Sequence, residues 1–265
     1  PTLWPSAATA SQEDGTVLGK CRRQAFYRYV TDLYNFDEKY DAYKDLVTQL
    51  NEEKKPPSKY LKWIWRAGDL YEQYCIDLSK EAGLFVATQV SIYIPKTNVS
   101  GKLDLIVINP ETQKYQIVEV KSVYGFNANS VMGTDAQQRK GFLGEPRSSH
   151  LMQLGIYQWW YGNTNDFGPG LLVYGARDTG KFAEYIVTVE TCEDGEDYIF
   201  YQGNAPVQTE KKNSGISLQS VMRNYKSILD AASTGEVPPK DYHLKYTEEM
   251  IEQMYQDGLL GKIDT

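Results

Sequence analysis

Apolar and polar positions along the chain follow two rhythms, and the places where one gives way to the other outline the fold. Residues 16 to 50, with CRRQAFYRYVTDLY followed by a more acidic, tyrosine-rich segment, carry a helical rhythm. The stretch EEKKPPSKY at 52 to 60 interrupts it with charge and two prolines. Ser58 then has the chemistry of an N-cap for a helix reaching about Ala82, with Gly83 as its stop. Three runs follow in the two-residue rhythm of strands: FVATQVSIYI at 85 to 94, KLDLIVI at 102 to 108 and YQIVEVK at 115 to 121. Their connections, IPKTNVSG and NPETQK, are rich in turn residues, so an antiparallel meander is the economical arrangement.

A looser region, GFNANSVMGTDAQQRKGFLGEP, leads into a strong helix, SSHLMQLGIYQWWYG. Strands are predicted at 168 to 176 and 182 to 190, a polar excursion at 192 to 215, and helices near 216 to 233 and 247 to 257. The order helix, three strands, helix, strands predicts an α/β fold with a mixed central sheet flanked by helices and further helical additions at both ends. No G-x-G-x-x-G or phosphate-loop sequence is present, which argues against a doubly wound nucleotide-binding unit.

Composition narrows the setting. At 265 residues the chain suits one domain with a sizeable core. No stretch approaches the roughly 20 apolar residues of a membrane helix, and PTLWPSAATASQEDG lacks the form of a signal peptide, so a cytoplasmic protein with no membrane partner is expected. Cys21, Cys75 and Cys192 are far apart and read as reduced thiols. The net charge of -7 argues against a general nucleic-acid coat protein but leaves room for local basic clusters, at Lys20, Arg22, Arg23 and Arg28 and at Arg139, Lys140 and Arg147. Tyrosine, with 21 residues, suits stacking on bases and core packing alike.

One stretch breaks the pattern of a buried hairpin: GKLDLIVINPETQKYQIVEVKS, residues 101 to 122, places Asp104, Glu119 and Lys121 on apolar strands. Alternation puts Glu119 and Lys121 on one face of their strand, and puts Asp104 on the face of Lys102 and Ile106, opposite Leu103, Leu105 and Val107. A simple hairpin register brings Asp104 next to Glu119. Two buried carboxylates at that distance repel, at a cost of several kcal/mol, unless a cation lies between them. Mg²⁺ takes one or two carboxylates with waters and phosphate oxygens, and a neighbouring lysine can orient or deprotonate a water. The chain has five acid-x-Lys pairs, Asp37/Lys39, Glu52/Lys54, Glu53/Lys55, Glu119/Lys121 and Glu210/Lys212. Only the 119/121 pair lies in an apolar strand with a second acid in the neighbouring strand, which sets it apart from an ordinary surface ion pair.

These residues resemble the core motif of the PD-(D/E)xK nucleases, which have a restriction-endonuclease-like fold. Asp104 and the triplet Glu119-Val120-Lys121 match it, with Leu103 where the motif has its proline. The resemblance implies that Asp104, Glu119 and the Val120 carbonyl hold one or two Mg²⁺ or Mn²⁺ ions, that Lys121 acts on the attacking water, and that Glu72, one turn after Gly68 in RAGDLYEQYC, is a further metal ligand. His150, Gln153 and Tyr157 form a stripe on the helix after the hairpin. Gln153 and Tyr157 are similar to the Q-x-x-x-Y motif of the RecB-type and lambda-exonuclease-type branch, beside DNA. The N-terminal WPSAATASQEDGTVLGKCRRQAFYRY is similar to the opening of RecB-type and CRISPR-associated nucleases, which implies DNA contacts from Arg22, Arg23 and Tyr27. Relatives of that kind hold an iron–sulfur cluster through such a cysteine and three more near the C-terminus; GEVPPKDYHLKY contains none, so no cluster is expected on Cys21.

The resemblance implies a single nuclease domain in three parts, an N-terminal helical DNA-gripping part (1–57), the core (58–190) and a C-terminal helical extension (191–265). Its expected work is metal-dependent hydrolysis of DNA, most simply as an exonuclease in recombination, repair or phage replication. Endonuclease action, membership of a larger helicase–nuclease or replication protein, and a non-catalytic binding or assembly module of the same fold are the alternatives. DNA is the expected partner, with a homo-oligomer or a replication or recombination protein as further ones.

Overall fold

A computed structural model describes residues 2–12, 16–36, 43–52, 56–161, 166–239 and 253. Seven strands form one mixed sheet in sequence order: β3 (Phe85–Ile94), β4 (Val99–Ile108), β5 (Tyr115–Val123), β6 (Gly170–Ala176), β7 (Phe182–Thr191), β8 (Asp197–Gly203) and β9 (Lys212–Ser217). All neighbours are antiparallel except β5 and β6, whose parallel pairing requires a crossover, and α6 (Ser148–Tyr161) supplies it. A separate two-stranded ribbon, β1 (Thr9–Ser11) with β2 (Val17–Gly19), precedes α1 (Arg22–Phe36) and α2 (Lys44–Glu52).

The expected meander is present, and so is the helix before it. In α3 (Lys59–Glu81) the Ser58 side chain accepts the Leu61 amide at 3.1 Å, and Gly83, with φ of 70°, ends the helix as its lack of a Cβ allows. Three expectations are corrected. Residues 17–19 are a strand rather than helix, because the short apolar run Val17-Leu18 pairs with β1. The looser region contains α4 (Phe126–Met132) and α5 (Asp135–Gln138), the latter started by a Thr134/Gln137 capping box. The polar excursion contributes β8 and β9, so the part beyond residue 190 is not a helical extension but completes the central sheet before α7 (Leu218–Thr234). In β8 only Ile199 and Gly203 are buried, and the residues between and around them are half-exposed, which is why the stretch reads as polar. The helix expected near 247–257 lies outside the described residues.

The two faces of the sheet are covered unequally. On one, α6 packs against β5 to β9 and is joined by α7, α1 and the N-terminal segment in a continuous core that includes Leu103, Ile106, Ile117, Leu154, Leu172, Tyr174, Tyr185 and Ile199. On the other, α3 covers a small cluster of Ile76, Leu105, Val118, Val120 and Val173. Gly175 admits α3 to the sheet: a Cβ there would stand 2.4 Å from the Tyr71 ring, whose hydroxyl donates to the Ala176 carbonyl at 2.8 Å.

Candidate functional site

The site forms where β4 and β5 part. Their ladder runs from Ile108/Tyr115 to Leu105/Val118, and continuing it places Asp104 opposite Glu119. Asp104 leaves the ladder on both sides, because the β3–β4 pairing also passes from Thr88/Leu105 to Val90/Leu103 without it. Across that gap Gln89 has φ of 54°, unusual for a residue with a side chain. The irregularity corrects simple alternation: Leu103 packs with Ile106 in the larger core, whereas Leu105 packs under α3.

Free of the ladder, the Asp104 carboxylate accepts the Val120 amide at 2.9 Å. The N–H and C=O of one strand residue point to the same neighbour, so the Val120 carbonyl also faces the Asp104 side. Glu119 shares a face with Ile117, which belongs to the α6-side core, and it is fully buried. One of its oxygens pairs with Lys121 Nζ, and the other, Oε2, is buried with no donor facing it and only the Asp104 carboxyl as a neighbour with which it can share a proton. Burial raises the Glu119 carboxyl, Lys121 opposes this, and Asp104 adds to it. Burial also raises Asp104. Desolvation disfavours the Lys121 ammonium, but Glu119 and Asp104 outweigh it and hold Lys121 charged, with a raised pKa.

Glu72 approaches from α3 on the other face. Its carboxyl is raised by burial and then by Asp104, and it accepts from Gln89 Nε2 at 2.5 Å. Gln89, in β3, carries no signal in the sequence that would mark it as a site residue. Only the gap in the ladder shows that it reaches the site. Four expected residues, Glu72, Asp104, Glu119 and Lys121, are therefore electrostatically coupled. Among the described residues no group of three His, Cys, Asp or Glu stands ready-made to hold a metal ion: Glu119 is turned to Lys121 and Glu72 to Gln89. What fits a divalent cation is the donor chemistry, an unpartnered buried carboxylate oxygen beside a second acid and a carbonyl facing the same gap.

The α6 stripe lies beneath this gap. Tyr157 is fully buried; its hydroxyl donates to the Lys102 carbonyl at 3.0 Å and accepts from Gln153 Nε2 at 3.3 Å. Both residues thus brace β4 two positions before Asp104 from inside the core, rather than presenting themselves on the surface. The Tyr174 hydroxyl accepts the Arg147 amide at 3.1 Å and lies 2.9 Å from His150 Nδ1. Burial, reinforced by Lys121, Arg147 and Lys20, pushes His150 down to about 3, so the imidazole is neutral.

The N-terminal candidates are engaged with α7 and the chain beyond it. Arg23 Nε donates to the Pro238 carbonyl at 2.8 Å, Arg22 reaches Asn224 Oδ1 at 3.5 Å, and half-buried Tyr27 packs edge-on against Phe26. Of that region Lys20 is the residue whose charge reaches His150. The three cysteines are free thiols, and burial pushes Cys75, on α3, up to about 11, where it stays protonated. An open cavity of about 1000 Å³ lies elsewhere, between Ser11 and Gln12, the β7–β8 turn and α7, and none of the candidate residues lines it. No helix among the described residues is long and apolar enough to cross a membrane. The chain matches no protein-family model, no curated protein and no solved structure.

Proposed function

We propose that the protein is a divalent-metal-dependent nuclease of the PD-(D/E)xK kind, with a restriction-endonuclease-like core and most simply an exonuclease of the RecB or lambda type. The observation that carries the reading is Glu119: a fully buried carboxyl with one oxygen that no donor reaches, set across a broken ladder from Asp104 and beside Lys121. A structural ion pair would satisfy both oxygens or stand where water could. The mixed sheet with one parallel pair, bridged by α6, supports the fold assignment.

Asp104, Glu119, the Val120 carbonyl and Glu72 are the groups that would hold Mg²⁺ or Mn²⁺. Such an ion, when bound, polarises a phosphodiester and lowers the pKa of a bound water. Lys121, kept charged by its two acids, offsets the charge that develops on the phosphate and orients the attacking water. Gln153 and Tyr157 hold β4 so that Asp104 keeps its place. Hydrolysis in this family's manner leaves 5′-phosphate and 3′-hydroxyl ends.

End-labelled single- and double-stranded DNA, incubated with Mg²⁺, Mn²⁺ or chelator, tests the reading. Cleavage should need the metal and fall at least a hundredfold in Lys121→Ala and Asp104→Asn, on the order expected for loss of one group acting in the transition state. Cleavage in chelator, or full activity in both variants, contradicts it. A ladder from one end indicates an exonuclease, and cutting of closed circles an endonuclease.

A further inference from the structure

Strand β3 is one edge of the central sheet, and its backbone is irregular where it passes the site. The pairing with β4 moves from Thr88/Leu105 to Val90/Leu103, which leaves Gln89 and Asp104 as the unpaired residues between. The Asp104 carbonyl freed in this way is taken up by the Thr88 hydroxyl, which donates to it at 2.7 Å. Gln89 itself takes φ of 54°. That region crowds a Cβ against the following carbonyl, and glycine enters it freely. The other described residues that have a side chain and a positive φ, Asn98 and Gln113, lie in the connections before and after β4, whereas Gln89 is inside a strand.

The turned residue reaches across to α3, where Gln89 Nε2 donates to Glu72 Oε1 at 2.5 Å. Glu72 is the candidate ligand that comes from a helix rather than from the hairpin, and its charge acts on the same groups as those of Asp104 and Lys121. An irregular backbone also serves an edge strand by discouraging the addition of a further strand. A glycine at position 89 would give that protection without crowding. What a glycine lacks is an amide that reaches Glu72, so the side chain, not the irregularity, is what the unfavourable φ preserves.

We propose that Gln89 is a positioning residue of the metal site: its amide engages Oε1 of Glu72 and holds the carboxylate beside Asp104 with Oε2 left to a divalent cation. The proposal rests on the nuclease reading for the cation and adds to it the residue that orients the ligand from α3. Carboxylates that bind metals are commonly held by such an outer hydrogen bond, and its loss weakens metal binding by roughly 10- to 100-fold.

Two readouts that should move in opposite directions test it, and neither requires substrate: the Tm of the metal-free protein and the affinity for Mn²⁺ measured by isothermal titration calorimetry. Gln89→Gly relieves the crowded φ and removes the amide. Its Tm should rise by about 1–3 °C, while Mn²⁺ binding weakens by roughly 10- to 100-fold. Gln89→Asn, whose side chain tolerates the same φ but is one methylene too short, should lose Mn²⁺ affinity to a similar degree. Gln113→Gly, which relieves a positive φ in the β4–β5 connection, should raise the Tm and leave Mn²⁺ affinity unchanged. Mn²⁺ affinity that is unchanged or increased in both Gln89 variants overturns the proposal, and so does a Gln89→Gly variant whose Tm falls together with its affinity, since the loss is then one of folding. If the unaltered protein binds Mn²⁺ and cleaves DNA while the Gln89 variants match it, the role of Gln89 alone is wrong. If the unaltered protein binds neither Mn²⁺ nor Mg²⁺, the nuclease reading fails and the role of Gln89 fails with it.

Discussion

The two faces of the central sheet differ in thickness, and the candidate site lies where that difference matters. The α6 face is closed: Leu154, Leu172, Tyr174 and Ile199 are fully buried in a core that continues through α7 to the N-terminal segment. The α3 face is thin, with five buried hydrophobic residues and, beside Tyr74 and Phe182, an apolar groove of about 270 Å³. Glu119 draws its burial from the thick face, whereas Glu72 is brought in by the thin one. A carboxylate can be kept dry only where packing is rigid, and a substrate can be admitted only where it is not. The gap at Asp104 lets groups from both faces meet.

Core truncation should break the symmetry most. Leu154→Ala is expected to cost about 4 kcal/mol, and Leu105→Ala, beside the groove, about 2 kcal/mol, because a cavity that neighbours can fill costs less. Urea unfolding of the two variants measures this, and equal losses would erase the contrast. Gly175→Ala drives a Cβ into the Tyr71 ring and should cost about 1–3 kcal/mol, with cleavage falling further than stability, since Glu72 follows Tyr71 on α3. Tyr157→Phe removes the donor to the Lys102 carbonyl and should cost about 1 kcal/mol. Its signature is a reduced cleavage rate at unchanged DNA affinity, because the tyrosine braces β4 from within. The smallest effect has the opposite sign. Asp104→Asn relieves repulsion on Glu119 and Glu72, so the metal-free protein should gain up to about 1 kcal/mol. Added Mn²⁺ should then no longer raise its Tm as it does for the unaltered protein.

Strong periodicity was readable in advance wherever a segment faces one environment along its whole length. The Ser58 cap, α3, the meander and α6 are of that kind. Elements held by distant partners were not: Val17-Leu18 becomes a strand because β1 lies beside it, and β8 and β9 because β7 has an open edge. The site divides in the same way. Asp104, Glu119 and Lys121 announce themselves as charges on apolar strands, while Gln89 looks like any polar strand residue until its backbone turns at the broken ladder. Tyr157 is recognisable from its spacing with Gln153, but nothing in that spacing places its hydroxyl on the Lys102 carbonyl.

By itself the sequence determined which residues alternate, where helices begin and end, and that two acids and a lysine share a hairpin, since all of these follow from local stereochemistry and hydrophobic period. Only the tertiary structure decided that β4 leaves its ladder at Asp104, that Glu119 is sealed from water beside Lys121, and that Gln89 and Glu72 meet across the gap. Those outcomes depend on how far strands part and where a helix crosses them, which packing between segments distant in the chain sets and local pattern does not.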